Sequence, residues 1–191
     1  MEKKIIIFGY DKKTTKFYDY IKNKKKFIFT FKKKININKN LDEFDLIVLY
    51  GYREIVNNFF IKKYYNKLVN LHISYLPYNR GAHPNYWSWV NKTPHGITIH
   101  RVISKVDAGD ILFQKKINIQ IKNMTFKKSY KLLRLEMDKF FSQKLLKIIN
   151  NDFKLKKQKK IKKSLHKKKD LPKTIKNNWN ISIKEYLKKL I

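Results

Sequence analysis

Apolar and polar positions along this chain fall into short blocks that spell out strands and helices in turn. The run Lys-Ile-Ile-Ile-Phe at residues 4–8 is apolar and closed by Gly9, as a first buried strand would be. Residues 27–31, 46–49 and 68–71 read as three further strands. Asp11 is placed to cap a helix over residues 13–24, with Phe17, Tyr18 and Ile21 on one side. A short helix is expected over residues 58–65. The chain after the fourth strand reads as loop through Pro84, followed by a helical turn at residues 86–90 that buries Trp87 or Trp89. Residues 96–102 and 111–119 alternate and read as two more strands, paired with each other.

Between Asn123 and Asn150, Tyr130, Leu133, Met137, Phe140, Phe141 and Leu145 recur at helical spacing, which predicts a long amphipathic helix covering a sheet. Beyond Asn150 the pattern collapses until Ser182 and Glu185, whose capping-box spacing precedes Tyr186, Leu187 and Leu190. No internal repeat is visible. Strands alternating with helices argue for an α/β layer around a largely parallel sheet. In such sheets ligands bind beyond the carboxyl ends of the strands. Residues 51–56, 70–84 and 103–109 are therefore expected to share one crevice.

Composition narrows the class. A chain of 191 residues with 42% apolar and 15% aromatic content can bury one sizeable core, as a single domain or a domain with an appendage. It has no cysteine, which removes disulfides, zinc–thiolate sites, iron–sulfur clusters and cysteine nucleophiles. There is no apolar run of about 18 residues and no secretory leader, so a cytoplasmic protein without membrane contact is expected. The net charge of +32 would suit a polyanionic partner such as nucleic acid. Only four of the 46 bases are Arg, however, and the rest of the chain is heavy in Ile, Asn, Phe and Tyr. That favours compositional drift toward A/T-rich codons over specific readout, for which Arg is the better tool. Residues 41–111 hold eight bases and six acids, four of the five Gly and three of the four Pro. The excess charge lies elsewhere, most densely at residues 154–169, where ten of sixteen residues are Lys; such a run reads as a solvated or mobile tail.

Candidate chemistry sits in the near-neutral middle. Asn70 and His72 are one residue apart at a strand end and leave it on the same side. Asp107 opens the turn-like Asp-Ala-Gly-Asp stretch between two strands. An amide, a neutral imidazole and a carboxylate together suit acyl transfer to an amine: the base takes a proton from the attacking nitrogen, the amide steadies the oxyanion, and the carboxylate orients the imidazole or relays the proton. Spacing alone leaves other roles open, namely a structural or exposed His, a turn Asn and an ordinary loop Asp.

The stretch at residues 70–87, NLHISYLPYNRGAHPNYW, then GITIH at 96–100 and VDAGDIL at 106–112, resembles the core of the folate-dependent formyltransferases. These enzymes move a formyl group from 10-formyltetrahydrofolate to a primary amine. The likeness runs from about Leu46 to Ile119 and more loosely over the first strand and the long helix. It implies a Rossmann-like α/β formyltransferase domain at residues 1–150, with a lysine-rich C-terminal extension at residues 151–191. Asn70, His72 and Asp107 match the family's catalytic Asn, His and Asp. Tyr52, Arg53, Glu54, Ile55 and Val56 resemble the loop that holds the pterin, and Ile103, Ser104 and Val106 would form the other wall. Leu76, before Pro77, would shape the crossing between folate and acceptor, and Arg80 and His83 would face the acceptor. The resemblance implies a folate formyl donor and no metal.

Three acceptor classes are familiar in that family. The glycinamide ribonucleotide enzymes carry a Gly-rich phosphate loop after the first strand. Here Gly9-Tyr-Asp-Lys-Lys-Thr14 has one Gly and an Asp that would repel phosphate. Methionyl-tRNA formyltransferases add a β-rich domain of about one hundred residues, a typical small-domain size, whereas only about forty lysine-heavy residues follow Asn150. Residues 74–87 look closest to the enzymes that formylate amino sugars carried on nucleotides and to their small relatives. A small amine such as a nucleotide-linked amino sugar is therefore the expected acceptor. Methionyl-tRNA is the alternative, kept open by the attraction of lysine for phosphate. A non-catalytic basic RNA-binding module is the alternative of another class.

Overall fold

The computed structural model describes residues 1–21, 24–161 and 164–190. β1 (Lys3–Gly9) leads to a single helical turn, α1 (Phe17–Tyr20), and then to β2 (Phe27–Lys32). β3 (Leu46–Tyr50) and α2 (Asn58–Tyr64) precede β4 (Leu68–His72), the two-residue β5 (Arg80–Gly81) and α3 (Pro84–Val90). β6 (Gly96–Arg101) and β7 (Ile111–Lys116) are followed by the 24-residue α4 (Phe126–Ile149). β8 (Leu165–His166), α5 (Lys173–Asn177) and α6 (Ile183–Lys188) come last.

Six strands form one sheet in the order β2-β1-β3-β4-β6-β7. β2, β1, β3 and β4 are parallel, and β6 and β7 are antiparallel to their neighbours. This is the mostly parallel α/β architecture expected from the sequence. Side-chain alternation divides the core between the two faces. Ile5, Ile7 and Val48 pack on the side of Leu133, Met137 and Phe141 from α4, whereas Ile6, Phe8, Ile47 and Leu49 meet Phe60 and Tyr64 from α2. Because both faces are covered, β1 and β3 read as continuous apolar runs rather than alternating ones. The parallel arrangement gathers the carboxyl ends of β1, β3 and β4 at one rim.

The long helix, the short helix over 58–65 and the final capped helix form within three residues of expectation, and the Ser182 hydroxyl accepts from the Glu185 N–H. Of the two tryptophans weighed at α3, Trp89 is the buried one. The expected helix over 13–24 does not form as such; its α-helical part among the described residues is α1, while Lys22 and Asn23 lie outside them. Asp11 closes a turn instead, its carboxylate accepting from the N–H and hydroxyl of Thr14, and the Thr14 and Thr15 hydroxyls bond the Asp11 carbonyl. Short polar side chains compete with the helix for backbone groups in this way.

The lysine-rich segment departs furthest from a free, solvated tail. Leu171, Ile175 and Ile183 are buried in the core they share with α4. The Lys127 N–H donates to the Trp179 carbonyl (2.8 Å) and the Ile183 N–H to that of Met124 (3.0 Å), seating the last residues against the start of α4. Lys156 pairs with Ile111 at the head of β7, and β8 pairs with β5. Most lysine side chains of this segment stay exposed while its backbone and apolar residues pack. No helix among the described residues is long and apolar enough to cross a membrane.

Candidate active site

Asn70 and His72 leave β4 on one face, the other being taken by Val69 and Leu71, which enter the α4 core. The antiparallel register of β4 and β6 sets His100 directly opposite Asn70. Asp107 reaches the same point from the β6–β7 loop. Its backbone lies in the left-handed region (φ 48°), which costs a non-glycine residue about 1–2 kcal/mol and has to be held by its surroundings. Gly109 is required two residues on, since a Cβ there would collide with the Arg101 carbonyl.

The Asp107 carboxylate is the hub. Its Oδ1 accepts from Asn70 Nδ2 (2.9 Å) and its Oδ2 from the Gly81 N–H (2.8 Å). His72 Nδ1 lies 3.4 Å from Oδ2, and His100 Nε2 lies 3.4 Å from Oδ1. The far nitrogens fix the tautomers. His72 Nε2 donates to the Asn79 carbonyl (3.1 Å) and His100 Nδ1 to that of Arg101 (2.7 Å), so each ring turns its other nitrogen toward Asp107. His100 Nε2 accepts from Asn70 Nδ2 (3.0 Å). Both amide hydrogens of Asn70 are thus engaged, one by Asp107 and one by His100.

Burial lowers the pKa of His72 against the opposing pull of Asp107, with His100 and Arg80 lowering it further. Burial alone would raise Asp107, but His72, His100 and the Gly81 N–H outweigh it and hold the carboxyl well below the usual carboxylate range. At neutral pH the group is a carboxylate beside the neutral ring of His72, with His100 Nε2 facing its other oxygen. It is a station with room for one arriving proton. Among the described residues, no three His, Asp or Glu side chains are placed to hold a metal ion.

The flanking loops partly match the sequence reading. Ile55 is 88% exposed and Val106 is 45% exposed, so two apolar side chains stand in solvent, one on each loop expected to wall the cofactor site. Tyr52 and Val56 pack against the α2 core, Arg53 and Ser104 are exposed, Ile103 is half-buried, and Glu54 pairs with Lys34 (2.7 Å). Leu76 is fully buried. Arg80 is half-buried, and its Nε and a terminal nitrogen donate to Gln158 Oε1 (3.2 and 2.8 Å). His83 lines a cavity of about 920 Å³, facing Trp179 at a ring separation of 5.7 Å. Ile73, which follows His72, lines it too. The sequence reading left out His100 and this cavity's Trp179.

A family model described as formyl transferase matches residues 13–145. The chain belongs to the formyl transferase family. Methionyl-tRNA formyltransferase of Listeria welshimeri is 37% identical over 78 residues, 40% of this chain and 25% of that protein. The trifunctional purine biosynthetic protein adenosine-3 of Gallus gallus is 37% identical over 90 residues, 44% of this chain and 9% of its own length. The chain spans only about a quarter, or less, of the length of these curated relatives. A solved structure matches almost end to end: the formyltransferase PseJ from Anoxybacillus kamchatkensis, in complex with UDP-4,6-dideoxy-4-formamido-L-AltNAc and tetrahydrofolate. It is 30% identical, the match covers 95% of this chain and 96% of that one, and the TM-score is 0.84. The N-formyltransferase from Helicobacter canadensis shares the fold at 21% identity, with a TM-score of 0.72 over 90% of this chain and 73% of that one.

Proposed function

We propose that this formyl transferase moves a formyl group from 10-formyltetrahydrofolate to the primary amine of a nucleotide-linked amino sugar. The observation that carries the reading is the convergence of Asn70, His72 and Asp107 on one point, with a cavity lined by Ile73, the residue that follows His72. The end-to-end likeness to a protein solved with a UDP-sugar and tetrahydrofolate supports that acceptor over methionyl-tRNA, whose enzymes match over a quarter of their length.

The cavity suits such an acceptor. Its volume of about 920 Å³ is at the large end of the roughly 300–1,000 Å³ usual for small-molecule sites. Lys16, Arg53, Lys127, Lys131 and Arg134 line it against Asp138 as the one acid, a balance that favours a diphosphate. Trp179 offers a flat apolar face to a base. The exposed apolar Ile55 and Val106 fit the flat ring of a folate, held between the loops that carry them. The bound donor supplies the electrophilic formyl carbon.

The residues then act as follows. As the acceptor nitrogen attacks that carbon, the formyl oxygen gains charge, and Asn70 offers it the amide hydrogen now given to His100. Asp107 keeps the other hydrogen and with it the orientation of the amide. The proton lost by the amine enters the His72–Asp107 pair at His72 Nδ1 and leaves to the folate nitrogen as its bond to the formyl carbon breaks. The test is incubation with 10-formyltetrahydrofolate and UDP- or dTDP-linked amino sugars, with aminoacylated tRNA in a parallel arm. Mass spectrometry should find the formyl group on the sugar; formylated methionyl-tRNA alone, or no product from either, would refute the proposal.

A further inference from the structure

We infer that Gln158, from the lysine-rich segment, is a positioning residue for Asp107. This inference rests on the function proposed above. Gln158 Nε2 donates to the carbonyls of Asp107 (2.9 Å) and Gly109 (2.7 Å), while its Oε1 accepts twice from Arg80. One side chain therefore ties together the two loops that hold the carboxylate. The first is the β6–β7 loop, whose Asp107 backbone is left-handed. The second is the β5 loop, whose Gly81 N–H bonds Asp107 Oδ2 (2.8 Å).

The position follows from pairing. The Lys156 N–H and carbonyl both bond Ile111 (2.9 Å each), so the chain runs antiparallel to the head of β7 and delivers residue 158 beside Gly109. Further along, the carbonyls of Ser164 and His166 accept from the N–H groups of Arg80 and Ala82, gripping the β5 loop from its other side. Gln is the residue type this job needs. Its amide presents donors to two carbonyls and an acceptor to a guanidinium at once, which neither Glu nor Lys can do. The groups facing Asp107 are His72, His100, Asn70 and the Gly81 N–H, with Arg80 near by. Gln158 touches only the backbone of Asp107, so it acts through the placement of the carboxylate and not on the substrate.

Two variants test this in the full chain. Gln158→Glu keeps the acceptor for Arg80 and loses both donors, and Gln158→Leu loses all of them while keeping the bulk. Steady-state kinetics with 10-formyltetrahydrofolate and a UDP-linked amino sugar should show kcat falling at least about tenfold in both, since misplacement of about 1 Å can cost about 10²-fold. The acceptor KM should stay within about twofold. A readout independent of turnover is the ¹⁵N NMR titration of His72, whose midpoint should fall in the variants as the carboxylate that raises it is displaced. Wild-type kcat and an unmoved His72 midpoint in a folded variant would overturn the inference, as would a lower kcat with that midpoint unmoved. Should the wild type transfer no formyl group to any acceptor, the proposed function fails, and the NMR titration still decides the role of Gln158.

Discussion

Asn70 and His100 stand opposite each other across the β4–β6 pair, with 3.0 Å between the amide nitrogen and Nε2. The bond uses the one Asn70 hydrogen that Asp107 does not take. It keeps the amide turned toward the site and gives it a hydrogen that substrate can claim. Asn70→Ala should lower kcat by about 10²–10³, as the loss of one oxyanion donor does elsewhere. Stabilisation by a folate analogue, read as a thermal shift, should be retained. A variant as fast as wild type would remove Asn70 from the mechanism.

The pH dependence follows from His72. Because burial lowers its pKa, the ring is neutral at pH 7 and able to take a proton, and kcat/KM should fall only as pH drops below about 6.5, the ordinary His value. Asp107 opposes that lowering. Asp107→Asn should therefore move the acid limb to still lower pH while reducing the plateau rate by about 10²–10⁴. An acid limb that moves upward in this variant would contradict the assignment.

His95 supplies a separate pH effect, on stability. It packs 4.2 Å from the Trp89 ring, its Nδ1 is buried without a partner, and burial lowers its pKa to about 4. The unfolded chain binds this proton below about 6.5 and the folded chain only near 4. The stability tied to the neutral ring is therefore complete above about 6.5 and lost progressively as pH falls toward 4. Urea midpoints for wild type and His95→Asn between those limits should converge as pH falls, and parallel curves would show that the proton is bound equally in both states.

The fold hangs on the layer under α4. Phe141 is fully buried and meets Phe17 edge-on at 5.5 Å, tying the long helix to α1. Phe141→Ala should cost about 3–5 kcal/mol in chemical denaturation, the usual range for opening such a cavity. A loss under about 1 kcal/mol would mean that the layer closes over the gap.

Much of this was legible in the order of residues. β1 and β3 announce themselves because strands buried on both faces are apolar throughout, and α4 because a helix on a sheet repeats every three to four residues. Asn70, His72 and Asp107 were legible as a motif, though only the placement of the β6–β7 loop shows that they meet. His100 escaped because its role comes from standing across an antiparallel pair, while along the chain it is one more strand residue. Asp11 misled because a carboxylate that caps a helix and one that closes a turn look alike until the competing Thr14 hydroxyl is placed. Leu171, Ile175 and Ile183 reach the core singly, each among polar neighbours, so no periodicity marks them. The Arg80–Gln158 contact escaped because the two residues are 78 apart in sequence.

Single-turnover transfer from 10-formyltetrahydrofolate to a UDP-linked amino sugar, in wild type and in His72→Ala matched for fold by circular dichroism, goes most directly to the central claim. The wild type should deliver the formyl group to the sugar nitrogen, and the variant should do so about 10²–10⁴ times more slowly. Equal rates in the two proteins would show that the His72–Asp107 pair does not carry the proton, and the account would be wrong.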